Sequence, residues 1–230
     1  MLRYIYVLVC LAFVFTVAAV QAQELDQAPI EESIEVDPAR FESSIKAFET
    51  WDSKNSFPAD ASLFVGSSSV RRWATAKTFP DKKIINRGFG GSHMSDVNFY
   101  FDRVVKPYDS PSIFIYAGDN DIGGGKSAER VLADFKTFVA LVEAESSKTQ
   151  IHYLSIKPSK DRWEYWPEMD RANQLIKSLA GEKSNVTYVD MASMLLDGSG
   201  QPKDVFVGDG LHLNWRGYRL WAEAISPYLH

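Results

Sequence analysis

From residue 37 onward, short apolar runs alternate with longer amphipathic stretches. Five runs, 63–65, 84–85, 113–117, 151–156 and 186–189, are rich in Leu, Ile, Val, Phe and Tyr and too short for helices. Such runs suit strands buried on both faces of a parallel sheet. Most are separated by stripes at helical spacing. Met94, Val97, Phe101 and Val104 share one face, and Pro107 ends that helix. Val131, Phe135, Phe138 and Val142 form the next stripe, and Met169, Ala172, Ile176 and Leu179 another. Tyr218, Trp221, Ala222 and Ile225 make a closing helix. Ahead of the first strand, Asp37-Pro38 reads as an N-cap followed by proline at the first helical position. Phe41, Ile45 and Phe48 follow it at helical spacing. This alternation predicts an α/β fold, a three-layer α/β/α sandwich with a five-stranded parallel sheet, over residues 37–230.

The first residues break the pattern. Residues 1–22 carry no Asp or Glu and one cation, Arg3, and are apolar from Tyr4 to Val20. Val20-Gln21-Ala22 ends the run in a small residue, as a secretory signal peptide cleaved after Ala22 does. The run is also nearly long enough for a membrane anchor. A lipoprotein reading through Cys10 is weaker, because the apolar run continues past it. Residues 23–36 are acidic and polar and read as a flexible leader. The expected location is periplasmic or extracellular, with no stable membrane span once the signal is cleaved.

Composition narrows the classes. Of 230 residues, 45% are hydrophobic and 24% charged, which excludes a low-complexity or disordered chain. The 25 Lys and Arg against 30 Asp and Glu leave a formal net charge of −5, which argues against a nucleic-acid partner. One Cys and four His give neither a disulfide framework nor a Cys-rich zinc site.

In a parallel α/β sheet, chemistry gathers outside the carboxyl ends of the strands. Four loops in such places hold reactive types. They are Gly66-Ser67-Ser68-Ser69, the segment from Asn86 through Gly88, Gly90 and Gly91 to His93, Gly118-Asp119-Asn120-Asp121, and Asp209-Gly210-Leu211-His212. Two nucleotide motifs fail. Gly88-Phe89-Gly90 would need glycine where His93 stands to complete a dinucleotide fingerprint. Gly123-Gly124-Gly125-Lys126-Ser127 would need glycine at Asn120 to complete a P-loop. The glycines at 123–125 then read as loop flexibility ahead of a helix from Ala128.

Taken in order, the four loops resemble the four sequence blocks of the SGNH (GDSL-type) hydrolases. Gly66-Ser67-Ser68 looks like the G-D-S block, and Gly91 matches the oxyanion glycine. Gly118-Asp119-Asn120-Asp121 looks like the G-x-N-D block, and Asp209 with His212 like the D-x-x-H block. The resemblance runs from about Leu63 to the C-terminus. The family's aspartate before the nucleophile is Ser67 here, a position that is not the reacting group. Strand alternation does not choose among Ser67, Ser68 and Ser69; the resemblance places the nucleophile at Ser68.

The resemblance implies a flavodoxin-like SGNH architecture and a serine hydrolase of carboxylic esters with no metal or organic cofactor. The implied catalytic residues are Ser68, Asp209 and His212, with an oxyanion hole of Ser68, Gly91 and Asn120. The chemistry is coherent, since a serine hydroxyl needs a base and an imidazole titrates near neutrality. Asp209, three residues before His212, is close enough to reach the imidazole Nδ1–H. The implied partner is a small-molecule ester: an acetylated carbohydrate, a lysophospholipid or a short acyl ester. The alternative is a non-catalytic glycan-binding module on the same fold.

Other candidates carry less. His93, at a helix start, and His152, in a strand, read as structural. Trp163, Tyr165 and Trp166 suit either an aromatic wall for substrate or a helix start packed on the domain. Lys157 and Arg162 could meet an anionic substrate or be solvated. Arg71, Arg72 and Trp73 read as covering a helix.

Overall fold

The computed structural model describes residues 36–229. The signal peptide expected at 1–22 and nearly all of the leader expected at 23–36 lie outside the described residues.

Five strands form one parallel sheet: β1 (Ser62–Gly66), β2 (Ile84–Gly88), β3 (Ser112–Tyr116), β4 (Gln150–Leu154) and β5 (Val186–Val189). Their order is β2-β1-β3-β4-β5. The chain winds outward in one direction to β2 and in the other through β3, β4 and β5. The switch point therefore lies between β1 and β3, where an open α/β sheet leaves a crevice at its carboxyl edge.

Strand periodicity fills two cores. Leu63, Val65, Ile113, Ile115, Ile151 and Tyr153 face one side. There they meet α1 (Glu42–Asp52), α4 (Met94–Phe99), α5 (Phe101–Val104), α7 (Ala128–Glu145) and α8 (Trp166–Glu182). Phe64, Phe114, Tyr116 and Leu154 face the other side. That core is completed by α2 (Ser68–Arg71), by Trp73 and Phe79 on either side of α3 (Thr75–Thr78), and by α9 (Trp215–Ile225). Successive side chains of a strand point to opposite faces, so one apolar run supplies both layers.

The predicted helix start at Asp37-Pro38 is found. The Asp37 carboxylate accepts from the Ala39 N–H at 2.8 Å, and Pro38 opens a 3-10 turn that runs into α1. The single helix expected over 94–104 is instead two, α4 and α5, parted at Tyr100. The Tyr100 hydroxyl donates to the Pro38 carbonyl, tying the break to the N-terminal turn. The loop expected at 119–125 is also partly helical. A one-turn helix, α6 (Asp119–Gly123), follows β3, and the Ser127 hydroxyl then caps α7. Trp73 is not a surface cover: it is 3% exposed, between Phe64, Phe79 and Trp221. His152 is buried in its strand and stacks on Phe114 at 4.4 Å.

Candidate active site

The site is assembled from chain reversals at the carboxyl edge. After β1 the chain turns sharply at Gly66, where φ is +126°. A Cβ there would stand 2.0 Å from the Tyr116 carbonyl oxygen of the neighbouring strand. Only glycine lets β1 turn so close to β3. Ser67 then donates its N–H to that same Tyr116 carbonyl at 2.9 Å, and α2 begins at Ser68.

This turn gives the three serines different surroundings. Ser67 and Ser69 are buried, at 0% and 1% exposure, whereas Ser68 is half-buried and open to the crevice. The Ser68 Oγ lies 2.9 Å from Nε2 of His212. The His212 Nδ1 lies 2.7 Å from the Asp209 Oδ2. The other Asp209 oxygen accepts the backbone N–H groups of Leu211 and His212, each at 2.9 Å. The His212 N–H first, then its ring and the Leu211 N–H, hold the Asp209 carboxyl well below the usual carboxylate range. A carboxylate that is ionised at neutral pH fixes the proton on Nδ1 and leaves Nε2 to accept from the serine.

The loop carrying this pair is held rigidly. The Val207 N–H donates to the His212 carbonyl at 2.8 Å. Asn214 caps α9 by accepting from Arg216 and Gly217, at 2.8 and 3.2 Å, and its amide donates back to the Phe206 carbonyl. From α9, the Tyr218 hydroxyl donates to the Ser69 carbonyl at 2.9 Å, joining the histidine side of the site to the serine side.

The two remaining predicted residues follow β2 and β3 at the same edge of the sheet. Gly91 follows β2 with φ +89°. A Cβ added there would meet only the Phe41 ring, at 3.9 Å, so backbone conformation rather than close approach calls for glycine. Asn120 sits in α6, and its Nδ2 donates to the Ser92 carbonyl at 3.0 Å, next to Gly91. The second Nδ2–H is left for another acceptor, since an amide nitrogen has two. Ser68 opens α2, where the first N–H groups of a helix lack an intrahelical acceptor.

Other expectations fare differently. Ser67, in the place of the family's aspartate, has a buried Oγ with no hydrogen-bond partner, so the shorter side chain does not replace the carboxylate's bonds. Lys157 and Arg162 are not solvated. Lys157 is fully covered, 3.1 Å from Asp119. Burial pushes the Asp119 carboxyl up, but Lys157 and Arg162 outweigh it and bring it below its ordinary value. Arg162 reaches the Asn120 amide oxygen at 3.1 Å. Trp163 and Trp166 stack at 6.2 Å where α8 begins; Trp166 packs on the core, and Tyr165 stays exposed. Arg72, read as a helix cover, points at Asp209, 3.8 Å from its Oδ2. His93 is buried, which with the nearby Lys126 lowers its pKa. The contacts of Arg72 and Arg162 had no signal in the sequence, since neither belongs to a recognisable spacing.

The model of the GDSL-like lipase/acylhydrolase family matches residues 60–220, more than half of the chain and all four loops. The chain belongs to that family. It is a hydrolase of carboxylic esters with an SGNH architecture. Among solved structures, a Streptococcus pneumonia protein named for platelet activating factor is 26% identical, with a TM-score of 0.75. That match covers 82% of this chain and 92% of the other. A GDSL-like lipase from Bacteroides thetaiotaomicron shares the fold at 18% identity and a TM-score of 0.68, over 80% and 96% of the two chains. The acetyl-xylooligosaccharide esterase Axe2 of Geobacillus shares it at 16% identity and a TM-score of 0.61, over 75% and 94%. In sequence, the N-acylneuraminate cytidylyltransferase of Escherichia coli O18:K1:H7 is 23% identical over 184 residues, 76% of this chain. The acylhydrolase chain spans 42% of the length of that enzyme.

Proposed function

We propose that this acylhydrolase works through an acyl-enzyme on Ser68. The supporting observation is the unbroken relay from Asp209 through His212 to Ser68, with contacts of 2.7 and 2.9 Å. Ser68 Oγ attacks the ester carbonyl carbon while Nε2 of His212 takes its proton. The carbonyl oxygen becomes an oxyanion, and the N–H groups of Ser68 and Gly91 and the Asn120 amide donate to it. The imidazolium, stabilised by Asp209, returns the proton to the departing alcohol. Water then enters, His212 takes a proton from it, and the acid leaves with Ser68 restored.

The substrate is a small-molecule ester. An acylated sugar, a lysophospholipid and a short acyl ester are the forms that a substrate screen separates. An open groove of about 760 Å3 starts at Arg72, beside Asp209, and passes Leu213, Tyr218 and the exposed Trp215. We assign the alcohol part of the ester to it. On the pattern of residues 1–22 the protein is exported, and a mature N-terminus at Gln23, read by sequencing, is the check. Among the described residues no helix is long and apolar enough to cross a membrane.

The test is p-nitrophenyl acetate hydrolysis by the wild type and by Ser68→Ala. Turnover by the wild type alone supports the reading, and equal rates remove Ser68 from the chemistry. No turnover of any ester by either protein would favour the glycan-binding alternative.

A further inference from the structure

An asparagine amide can serve an oxyanion hole only if its nitrogen, not its oxygen, faces the substrate. The two ends are nearly the same size, so shape alone does not choose. At Asn120 the choice is made by chemistry at both ends. The Ser92 carbonyl, which can only accept, lies 3.0 Å from Nδ2. The guanidinium of Arg162, which can only donate, lies 3.1 Å from Oδ1 through Nη2. Its Nη1 donates to the Asp119 backbone carbonyl at 2.7 Å, so one planar group grips two consecutive residues.

We infer that Arg162 is a positioning residue for the ester hydrolysis, fixing and polarising the Asn120 amide from behind. This rests on the reading of Asn120 as an oxyanion donor.

Three further observations support the assignment. The guanidinium occupies a space that Gly123 leaves: a Cβ at 123 would lie 3.2 Å from its Cζ. The side chain of Arg162 is only 19% exposed, so its charge acts on the amide through little water. A cation at the oxygen end of an amide draws electron density toward it and makes the N–H a stronger donor. Finally, the backbone leading to Arg162 is anchored on the opposite arm of the site. The N–H groups of Lys160 and Asp161 both donate to the Gly210 carbonyl, at 3.0 and 3.2 Å, between Asp209 and His212. The segment 160–162 thereby ties the donor on α6 to the loop that carries the base.

The experiment is a double-mutant cycle with p-nitrophenyl acetate, using wild type, Arg162→Ala, Asn120→Ala and the double variant. Arg162→Ala is expected to lower kcat by about ten-fold with KM nearly unchanged, part of the roughly 10²–10³ expected for losing a donor outright. In the Asn120→Ala background the arginine substitution is expected to cost nothing more. Added guanidinium ion, at concentrations far below denaturing, is expected to restore part of kcat to Arg162→Ala and none to the double variant. Independent, multiplying effects of the two substitutions overturn the role of Arg162 and leave that of Asn120 standing. An unchanged kcat in Asn120→Ala overturns both. If Arg162→Ala does not fold, Arg162→Lys keeps the charge but cannot grip both oxygens. It is expected to show the same loss only while Asn120 is present, and a loss that persists in Asn120→Ala refutes the inference.

Discussion

Ser68 and His212 are separated by 144 residues in sequence and by 2.9 Å in space. The contact exists because β1 turns at Gly66 and α9 is pinned to that turn through Tyr218 and the Ser69 carbonyl. If it carries the reaction, the three neighbouring serines must differ sharply. Ser68→Ala is expected to lower kcat on the order of 10⁴-fold or more, as loss of a nucleophile does. Ser67→Ala, which removes an unpartnered hydroxyl, is expected to keep kcat within about three-fold and to leave stability level or slightly raised. Steady-state kinetics on the folded variants checks both. A comparable loss in Ser67→Ala would place the reacting hydroxyl elsewhere.

Two glycines at the carboxyl edge, Gly66 and Gly91, should fail in different ways. Gly66→Ala drives a Cβ into the Tyr116 carbonyl as well as straining φ. It is expected to cost at least about 2–3 kcal/mol, visible as a fall in thermal midpoint. Gly91→Ala makes only ordinary van der Waals contact with the Phe41 ring and pays only for its backbone, about 1–2 kcal/mol. The folded Gly91→Ala protein is expected to lose roughly ten-fold or more in kcat as its N–H shifts. Wild-type turnover in that variant would remove the Gly91 N–H from the oxyanion hole.

Asp209 gives a prediction about acid. Its depressed pKa keeps it ionised through the mildly acidic range, so no limb of the pH–rate profile there belongs to it. A carboxyl whose folded pKa is lowered contributes stability that is full above its unfolded value, near 3.9, and is lost as pH falls below it. Asp209→Asn is therefore expected to narrow its stability deficit relative to wild type only below about pH 4. At neutral pH the same variant should lose about 10³–10⁴ in kcat, because the imidazole tautomer is no longer fixed. Chemical denaturation and pH–rate curves on both proteins provide the test.

Asp121 behaves in the opposite sense. Burial, only partly offset by Lys126 and the Met94 N–H, pushes its carboxyl up to about 6. Between its unfolded value, near 3.9, and about 6 the folded protein holds a proton that the unfolded chain has lost. Its contribution to stability therefore falls as pH rises through that window and stays lower above it. Going from about pH 6.5 down to about pH 4, the wild type should gain stability relative to Asp121→Asn. A difference between the two that is flat across this range would show that Asp121 does not titrate there.

Trp215 tests the alcohol groove. It is 65% exposed, with the guanidinium groups of Arg216 and Arg219 over its ring. Trp215→Ala is expected to raise KM by about three- to ten-fold for esters of bulky alcohols, the loss of roughly 1 kcal/mol of stacking. Its kinetics with acetate esters of small alcohols, such as methyl acetate, should not change. Equal KM values on both substrate types would move the alcohol to another face.

The chain's local chemistry was enough to read the layers, the five parallel strands and the capped entry at Asp37-Pro38. Strand burial and helical stripes are periodic, and periodicity is written along one dimension. The family resemblance of the four loops put forward Ser68, Asp209 and His212, which the fold brings within hydrogen-bond distance, together with Gly91 and Asn120 as candidates. Folding in three dimensions decided the rest. It left Ser68 half-buried while fully burying Ser67 and Ser69, broke the helix at Tyr100, and sank Trp73 into the core. It also turned Arg162 inward onto Asn120, 42 residues away in sequence. These outcomes depend on which distant groups meet in a crowded interior, and a linear pattern holds no record of that until packing selects the neighbours.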